Sequence, residues 1–199
     1  SDLSDSRAAI DAGDKALAAL AESTPPDPVA GARVRVRLAQ DLARVGAFAR
    51  ADTLLDEVER DVTSLGATRA PIRIEYLMAR GTIAANRLEV DRALEANSEA
   101  WAQLQVLPDA SDDLRDRLQF AMGNSLWMAG NVREAEQMSR ELVERQRKRL
   151  GPAHQQTLYS TVMLAHTLRL QQRWDEAQAL LLPSIRGLDD SLGADHARS

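Results

Sequence analysis

Residues 150–196 read LGPAHQQTLYSTVMLAHTLRLQQRWDEAQALLLPSIRGLDDSLGADH. One junction frames this stretch twice: Leu150-Gly151 with His154, and Leu192-Gly193 with His196, 42 residues further on. Working outward, Ala177 steps back by the same 42 residues to Ala135, Ala93 and Ala51. Three positions before each alanine stand Trp174, Val132, Val90 and Phe48, and twelve before it Ala165, Gly123, Gly81 and Ala39. A further step lands on Ala9, inside SRAAIDAGDKALAALAES. Three columns that hold register over four units without a gap are the mark of a stacked repeat.

The columns have a physical reading. A small residue on each of two helices lets their backbones approach closely, and a bulky apolar residue at the start of the second helix pins the turn between them. Gly46, Gly130 and Asn131 fall between the columns and suit a short turn. Each unit is therefore helix, turn, helix. First helices are predicted over about 30–45, 72–86, 112–129 and 155–170. Second helices are predicted over about 48–64, 89–104, 132–149 and 174–191. The apolar spacing agrees, with Val34, Leu38, Leu42 and Val45 in one helix and Leu54, Leu55, Val58 and Val62 in the next. No alternating stretch suggests a strand. The segments 24–28 (TPPDP), 65–71 (LGATRAP), 106–113 (VLPDASDD) and 150–154 (LGPAH) read as connectors, with Ser111 or Asp112 as an N-cap. Pro183 predicts a kink or early break in the last helix.

Composition fits helices. The chain has 199 residues, 44% apolar and 4% aromatic, with 33 alanines. Cysteine is absent, which removes disulfides, thiolate metal sites and a cysteine nucleophile. The net charge of −5 argues against general nucleic-acid binding. No run is long and apolar enough to span a membrane, and the first residues do not form a secretory signal. Of 25 basic residues only Lys15 and Lys148 are lysine, a skew associated with GC-rich bacterial genomes.

On these residues the chain resembles the tetratricopeptide repeat family, and in particular its kinesin-light-chain-like branch of 42-residue repeats. The last unit carries the resemblance most fully, through Leu164-Ala165, Arg173-Trp174, Glu176-Ala177 and Leu180-Leu181. The third carries it through Gly123, Gly130-Asn131, Glu134-Ala135 and Leu150-Gly151. That branch has paired asparagines before Leu-Ala. Here the matching places hold Val36-Arg37, Met78-Ala79, Phe120-Ala121 and Val162-Met163, and Arg80 stands where an apolar residue belongs. The resemblance implies an all-α fold, an α-α superhelix of about four helix-turn-helix repeats plus an N-terminal helix. The expected organisation is a helix and linker over 1–29, then units at about 30–70, 71–111, 112–153 and 154–196. A start on a lone helix and a stop in mid-pattern lead us to expect a piece of a longer protein.

In such a fold the first helices line a concave face. The stripe of the first unit is Arg33, Arg37, Gln40 and Arg44, at helical steps of four, three and four. The second unit offers Glu75, Thr82 and Asn86, the third Arg117, Phe120, Asn124 and Trp127, and the fourth Tyr159, His166 and Arg169. A groove basic at one end and aromatic-amide at the other suits an acidic peptide with an apolar anchor. Against this stands the plain reading, in which the arginines are solvated or self-paired and Phe120, Trp127 and Tyr159 pack between repeats. Trp174 is expected to be structural, and His154 and His196 to pack at repeat junctions too far apart to share a metal. No metal or cofactor is expected, and no catalytic motif or usable acid/base pair is present, so the chain is not read as an enzyme. The expected function is a protein- or peptide-binding scaffold, the regulatory or sensory arm of a larger bacterial signalling protein such as a kinase, cyclase or transcription regulator, in the cytoplasm (or outside it if the parent is membrane-anchored). The alternatives are an RNA-binding helical repeat and a structural module that self-associates, as a homodimer, through bare repeat ends.

Overall fold

The periodic apolar stripes become helices that bury them against one another in pairs. The computed structural model describes residues 2–22, 27–62 and 69–196, with side chains over 6–22, 27–61 and 70–189. Its helices are α1 (Asp2–Ala21), α2 (Pro28–Arg44), α3 (Phe48–Val62), α4 (Arg69–Asn86), α5 (Val90–Gln105), α6 (Asp112–Met128), α7 (Val132–Leu150), α8 (Gln155–Leu170) and α9 (Trp174–His196). There is no strand among the described residues. The chain divides into two compact units, Ser1–Ala110 and Ser111–Ser199. In the first, α2 pairs with α3 and α4 with α5, α4 stacks on both α2 and α3, and α1 lies on α2. In the second, α6 pairs with α7 and α8 with α9, and α8 stacks chiefly on α7.

The alanine column sits where helices cross. Ala51, Ala93 and Ala135 are fully buried and Ala177 nearly so, and Ala39 and Ala165 opposite them are equally closed. Around these contacts gather Leu38, Leu42, Leu55, Val58, Ile72, Ile74 and Leu104 in the first unit, and Leu118, Leu142, Leu164 and Leu168 in the second. Burying one such side chain is worth about 1.5–3 kcal/mol.

The turns repeat more strictly than the sequence shows. Gly46 and Gly130 take left-handed φ of 79° and 80°, and so do Leu88 and Gln172, at 61° and 60°. These four residues are spaced by 42. Each closes the same pair of bonds: the next residue's N–H reaches back five positions (Ala47 to Leu42, Glu89 to Ala84, Asn131 to Leu126, Arg173 to Leu168, 2.9–3.1 Å), and the left-handed residue's N–H reaches back three. That is the Schellman ending of a helix. Glycine adopts it freely, whereas an L-residue is disfavoured there by roughly 1–2 kcal/mol. Leu88 is 78% exposed and buries little in return. Leu88→Gly is therefore expected to raise stability by about 0.5–1 kcal/mol, and Gly130→Ala to lower it by about 1 kcal/mol. Urea unfolding checks both, and a loss on Leu88→Gly would contradict the assignment.

Caps set the other helix ends. Asp27 accepts from the Ala30 N–H at 2.9 Å, with Pro28 at the first helical position, and Ser111 accepts from Leu114 at 3.2 Å. His154 performs the same task at the junction before α8, its ring nitrogen accepting from the Gln156 N–H at 3.3 Å.

Four expectations are corrected. Arg69, Ala70 and Pro71 form the first turn of α4 instead of a connector, since proline is tolerated where helix N–H groups have no partner; the rest of that connector, and residues 24–26 of the earlier one, lie outside the described residues. Pro183 does not end α9, which runs on to His196. Pro183 and Ala179, whose carbonyl loses its partner, are both exposed, so the carbonyl is not left orphaned in a core. His196 is thus the last helical residue, not part of a junction loop, although its side chain lies outside the described residues. Trp174, expected to be structural, keeps more than half of its surface in solvent, at 58% exposure. Phe48, its counterpart, is covered by the Arg87 guanidinium at 4.8 Å, a group supplied by the next helix pair. Among the described residues no later helix supplies one to Trp174.

Candidate partner-binding faces

In the first unit the predicted stripes of α2 and α4 meet. Arg33 on α2 lies 3.8 Å from Glu75 on α4. Arg37 and Arg44 keep exposed side chains, at 71% and 56%, while both turn toward Asp41 on their own helix, at 3.6 and 2.5 Å. Asp41 is only 4% exposed and is the residue that reading the stripe alone missed. Its signal was present in the spacing, four after Arg37 and three before Arg44. It draws one edge of each guanidinium inward and leaves the rest toward solvent. Gln40 is half-buried and Asn86 exposed, and the Thr82 hydroxyl donates to the Met78 carbonyl at 2.9 Å. Three arginines against Asp41 and Glu75 leave this face positive.

The second unit presents a different face. On α6, Arg117 is exposed and pairs with Asp113 at 2.9 Å. Phe120 and Trp127 are half-buried, and the Asn124 amide donates weakly to the Met128 sulfur at 3.7 Å. The Trp127 indole N–H is buried without an acceptor. On α8, Tyr159 is 47% exposed and Leu170, missed by the sequence reading, is 53% exposed. His166 is half-buried, its Nδ1 accepting from the Arg169 guanidinium at 3.3 Å.

Burial, and then the Arg169 charge, push the His166 pKa below its ordinary 6.5. The folded chain thus binds this proton less readily than the unfolded chain. The neutral imidazole contributes fully above about pH 6.5, and that contribution is lost as acid protonates the unfolded state first. His166→Gln is expected to flatten the fall of stability between pH 7.5 and 5, measured by urea midpoints. An unchanged slope would place His166 in open solvent.

Away from these stripes, charges clasp helices together. A cleft of about 310 Å³ between α3 and α5 has α4 as its floor. Arg73, Arg80 and Arg87 line it at steps of seven. Arg73 reaches Glu59 and Glu99 at 3.5 and 3.1 Å, and Arg87 grips Asp52 through two bonds. Arg80, the residue out of family pattern, donates to the Tyr76 hydroxyl at 2.9 Å. Burial raises the Tyr76 pKa, while its bond to Tyr76 raises that of Arg80. The matching clasp of the second unit ties α7 to α8 and α9. Glu136 accepts from Gln171 at 2.7 Å and from Arg173 at 2.8 Å, and Arg173 also grips Glu176. Burial pushes Glu136 up, but bonds from Gln171, Arg140 and Arg173 outweigh it and hold the carboxyl below its usual range. Asp52 and Glu136 are two repeats apart, as are Arg87 and Gln171, so one linkage recurs in both units. No group of three or more His, Asp or Glu side chains among the described residues is gathered for a metal ion. No described helix is long and apolar enough to cross a membrane.

Residues 114–197 match the tetratricopeptide repeat family. That match covers nearly all of the second compact unit. The residues before 114 carry the same alanine column, helix order and left-handed turns. Two solved structures share its fold. A variant form of nearly identical TPR-like repeats, described as a Podosopora anserina kinesin light chain, aligns with 98% of this chain and 89% of its own, at 22% identity and a TM-score of 0.60. BtubC (BKLC) from P. vanneervenii aligns over 95% of this chain and 75% of its own, at 18% identity and a TM-score of 0.66. At these identities the likeness is one of fold. No curated protein matches the sequence.

Proposed function

We propose that this tetratricopeptide-repeat scaffold binds peptide segments that carry an acidic residue and an apolar anchor. Tetratricopeptide repeats are in general protein-interaction scaffolds. The reading rests above all on the exposed guanidiniums of Arg37 and Arg44, on one stripe of α2 with Gln40. These offer charged donors to a carboxylate, and one such bond is worth about 1.5–3 kcal/mol. The exposed Tyr159 and Leu170 offer apolar area in the second unit. We further propose that the chain is the cytoplasmic regulatory arm of a bacterial signalling protein, which the flanking reading frame would test directly.

The decisive experiment is titration of acidic peptides, with and without a leucine or tryptophan anchor, against the chain and its variants. Arg37→Ala with Arg44→Ala is expected to weaken binding about tenfold or more, as is Asn124→Ala with Trp127→Ala. Unchanged affinity in both double variants would refute the assignment of these faces.

A further inference from the structure

We propose that the cleft of the first unit binds a small zwitterion of the α-amino-acid class, Arg80 taking its carboxylate and Glu95 its ammonium group. The cleft is about 310 Å³, at the lower end for small-ligand sites, and the helices that form it, α3, α4 and α5, all belong to that unit. Gly81 lies against Asn97 where α4 crosses α5, which sets Arg80 level with the stretch of α5 that carries Glu95 and Glu99. Glu59 on α3 stands at the other side, 3.8 Å from Arg80.

The charges that remain open tell what ligand fits. Arg73 is engaged by Glu59 and Glu99, Arg87 by Asp52, and Arg92 by Glu89 at 3.0 Å. Arg80 is different. Its side chain is 54% exposed and donates to the neutral Tyr76 hydroxyl, while Glu59 at 3.8 Å is beyond hydrogen-bond distance. Glu95 is exposed and pairs with no cation among the described residues. One guanidinium with idle donors and one carboxylate with idle acceptors match a ligand that carries both charges on a single carbon. A lone anion would meet the carboxylates of both walls, and a lone cation would meet the arginine floor. The rest of the lining, Leu55, Leu77, Ile83, Ala84 and Ala96, is apolar and suits a short apolar side chain.

The internal repeat shows that the fold does not require these charges. Two repeats on, Glu59, Tyr76 and Arg80 correspond to Val143, Ser160 and Leu164, all of them buried. Leu164 belongs to an apolar cluster against which Leu180 packs, and Leu180 stands where α5 has the smaller Ala96. The second unit thus fills with apolar or small side chains the positions that the first unit keeps charged beside an open cleft. Holding a guanidinium where a leucine packs costs desolvation, and such departures from local fit belong to functional sites.

The test is calorimetry on the full chain with leucine, with leucinamide, which lacks the carboxylate, and with N-acetylleucine, which lacks the ammonium group. Leucine is expected to bind saturably at one site, and each blocked form at least tenfold more weakly. Arg80→Leu introduces the residue that α8 already carries at this place, and is expected to keep the far-UV spectrum while abolishing leucine binding. Glu95→Gln, at an exposed and unpaired position, is expected to weaken leucine binding at least tenfold with an unchanged urea midpoint. No saturable binding of leucine up to about 10 mM would overturn the proposal. Equal affinity for the three compounds, or binding undisturbed by Glu95→Gln or by Arg80→Leu, would overturn it too.

Discussion

Replacing Asp116 by alanine is expected to cost the second unit about 3 kcal/mol. Asp116 stands near the start of α6, where it is 2% exposed. Its carboxylate accepts from Arg145 Nε at 2.7 Å and from Arg149 Nη2 at 2.5 Å, both on α7. Gln119 completes the cluster, accepting from Arg145 at 2.6 Å and donating to the Met138 carbonyl at 2.8 Å. Removing the carboxylate leaves two guanidiniums facing each other with nothing between them. Each side chain is about one third exposed, so both relax partly into water and the loss falls at the low end for a broken buried pair. The exposed pair of Asp113 and Arg117 is the control, and Asp113→Ala is expected to change stability by less than about 1 kcal/mol. Urea unfolding at pH 7 followed by tryptophan fluorescence distinguishes them. A loss on Asp116→Ala no larger than on Asp113→Ala would show that the cluster holds nothing together.

A second substitution probes the small-residue column at two of its members. A Cβ on Gly81 would lie 2.6–2.7 Å from the amide atoms of Asn97, whose residue is 2% exposed. A Cβ on Gly123 would meet Ser139 at 3.5 Å, an ordinary contact. Alanine is favoured over glycine inside a helix by about 1 kcal/mol, whereas forcing a closed core apart costs about 1–3 kcal/mol. Gly81→Ala is therefore expected to destabilise the chain by up to about 2 kcal/mol, and Gly123→Ala to stabilise it by up to about 1 kcal/mol. Urea midpoints of the two variants make the comparison. Equal effects at the two sites would mean that α4 and α5 are not held at the spacing the structure shows.

These cases mark how far the residues could be read in advance. All the small members of the column were visible as a period, because close approach of two helices excludes large side chains whatever else surrounds them. Which of them is tight was not, because that depends on the residue across the crossing, Asn97 or Ser139. The turn at Gly46 and Gly130 was legible from glycine, while Leu88 and Gln172 adopt the same left-handed geometry without the residue that signals it. There the closing hydrogen bonds override local preference. Among the groove residues, Arg33 and Glu75 were expected on one face only from the family resemblance, and the structure sets them 3.8 Å apart. The buried partner of Arg37 and Arg44, the exposure of Trp174 and the run of α9 through Pro183 were hidden, since each is decided by which side of a helix water can reach.

Residue size repeated at a constant interval was enough to specify paired helices, their order and nearly all their ends, because backbone approach and helix periodicity are local matters of steric fit. Which charged groups stay available to a partner and which clasp neighbouring helices was decided only when the chain packed. Asp41, Asp116 and Glu136 each choose their arginines across or along helices by distance and burial, and those quantities exist only in the folded molecule.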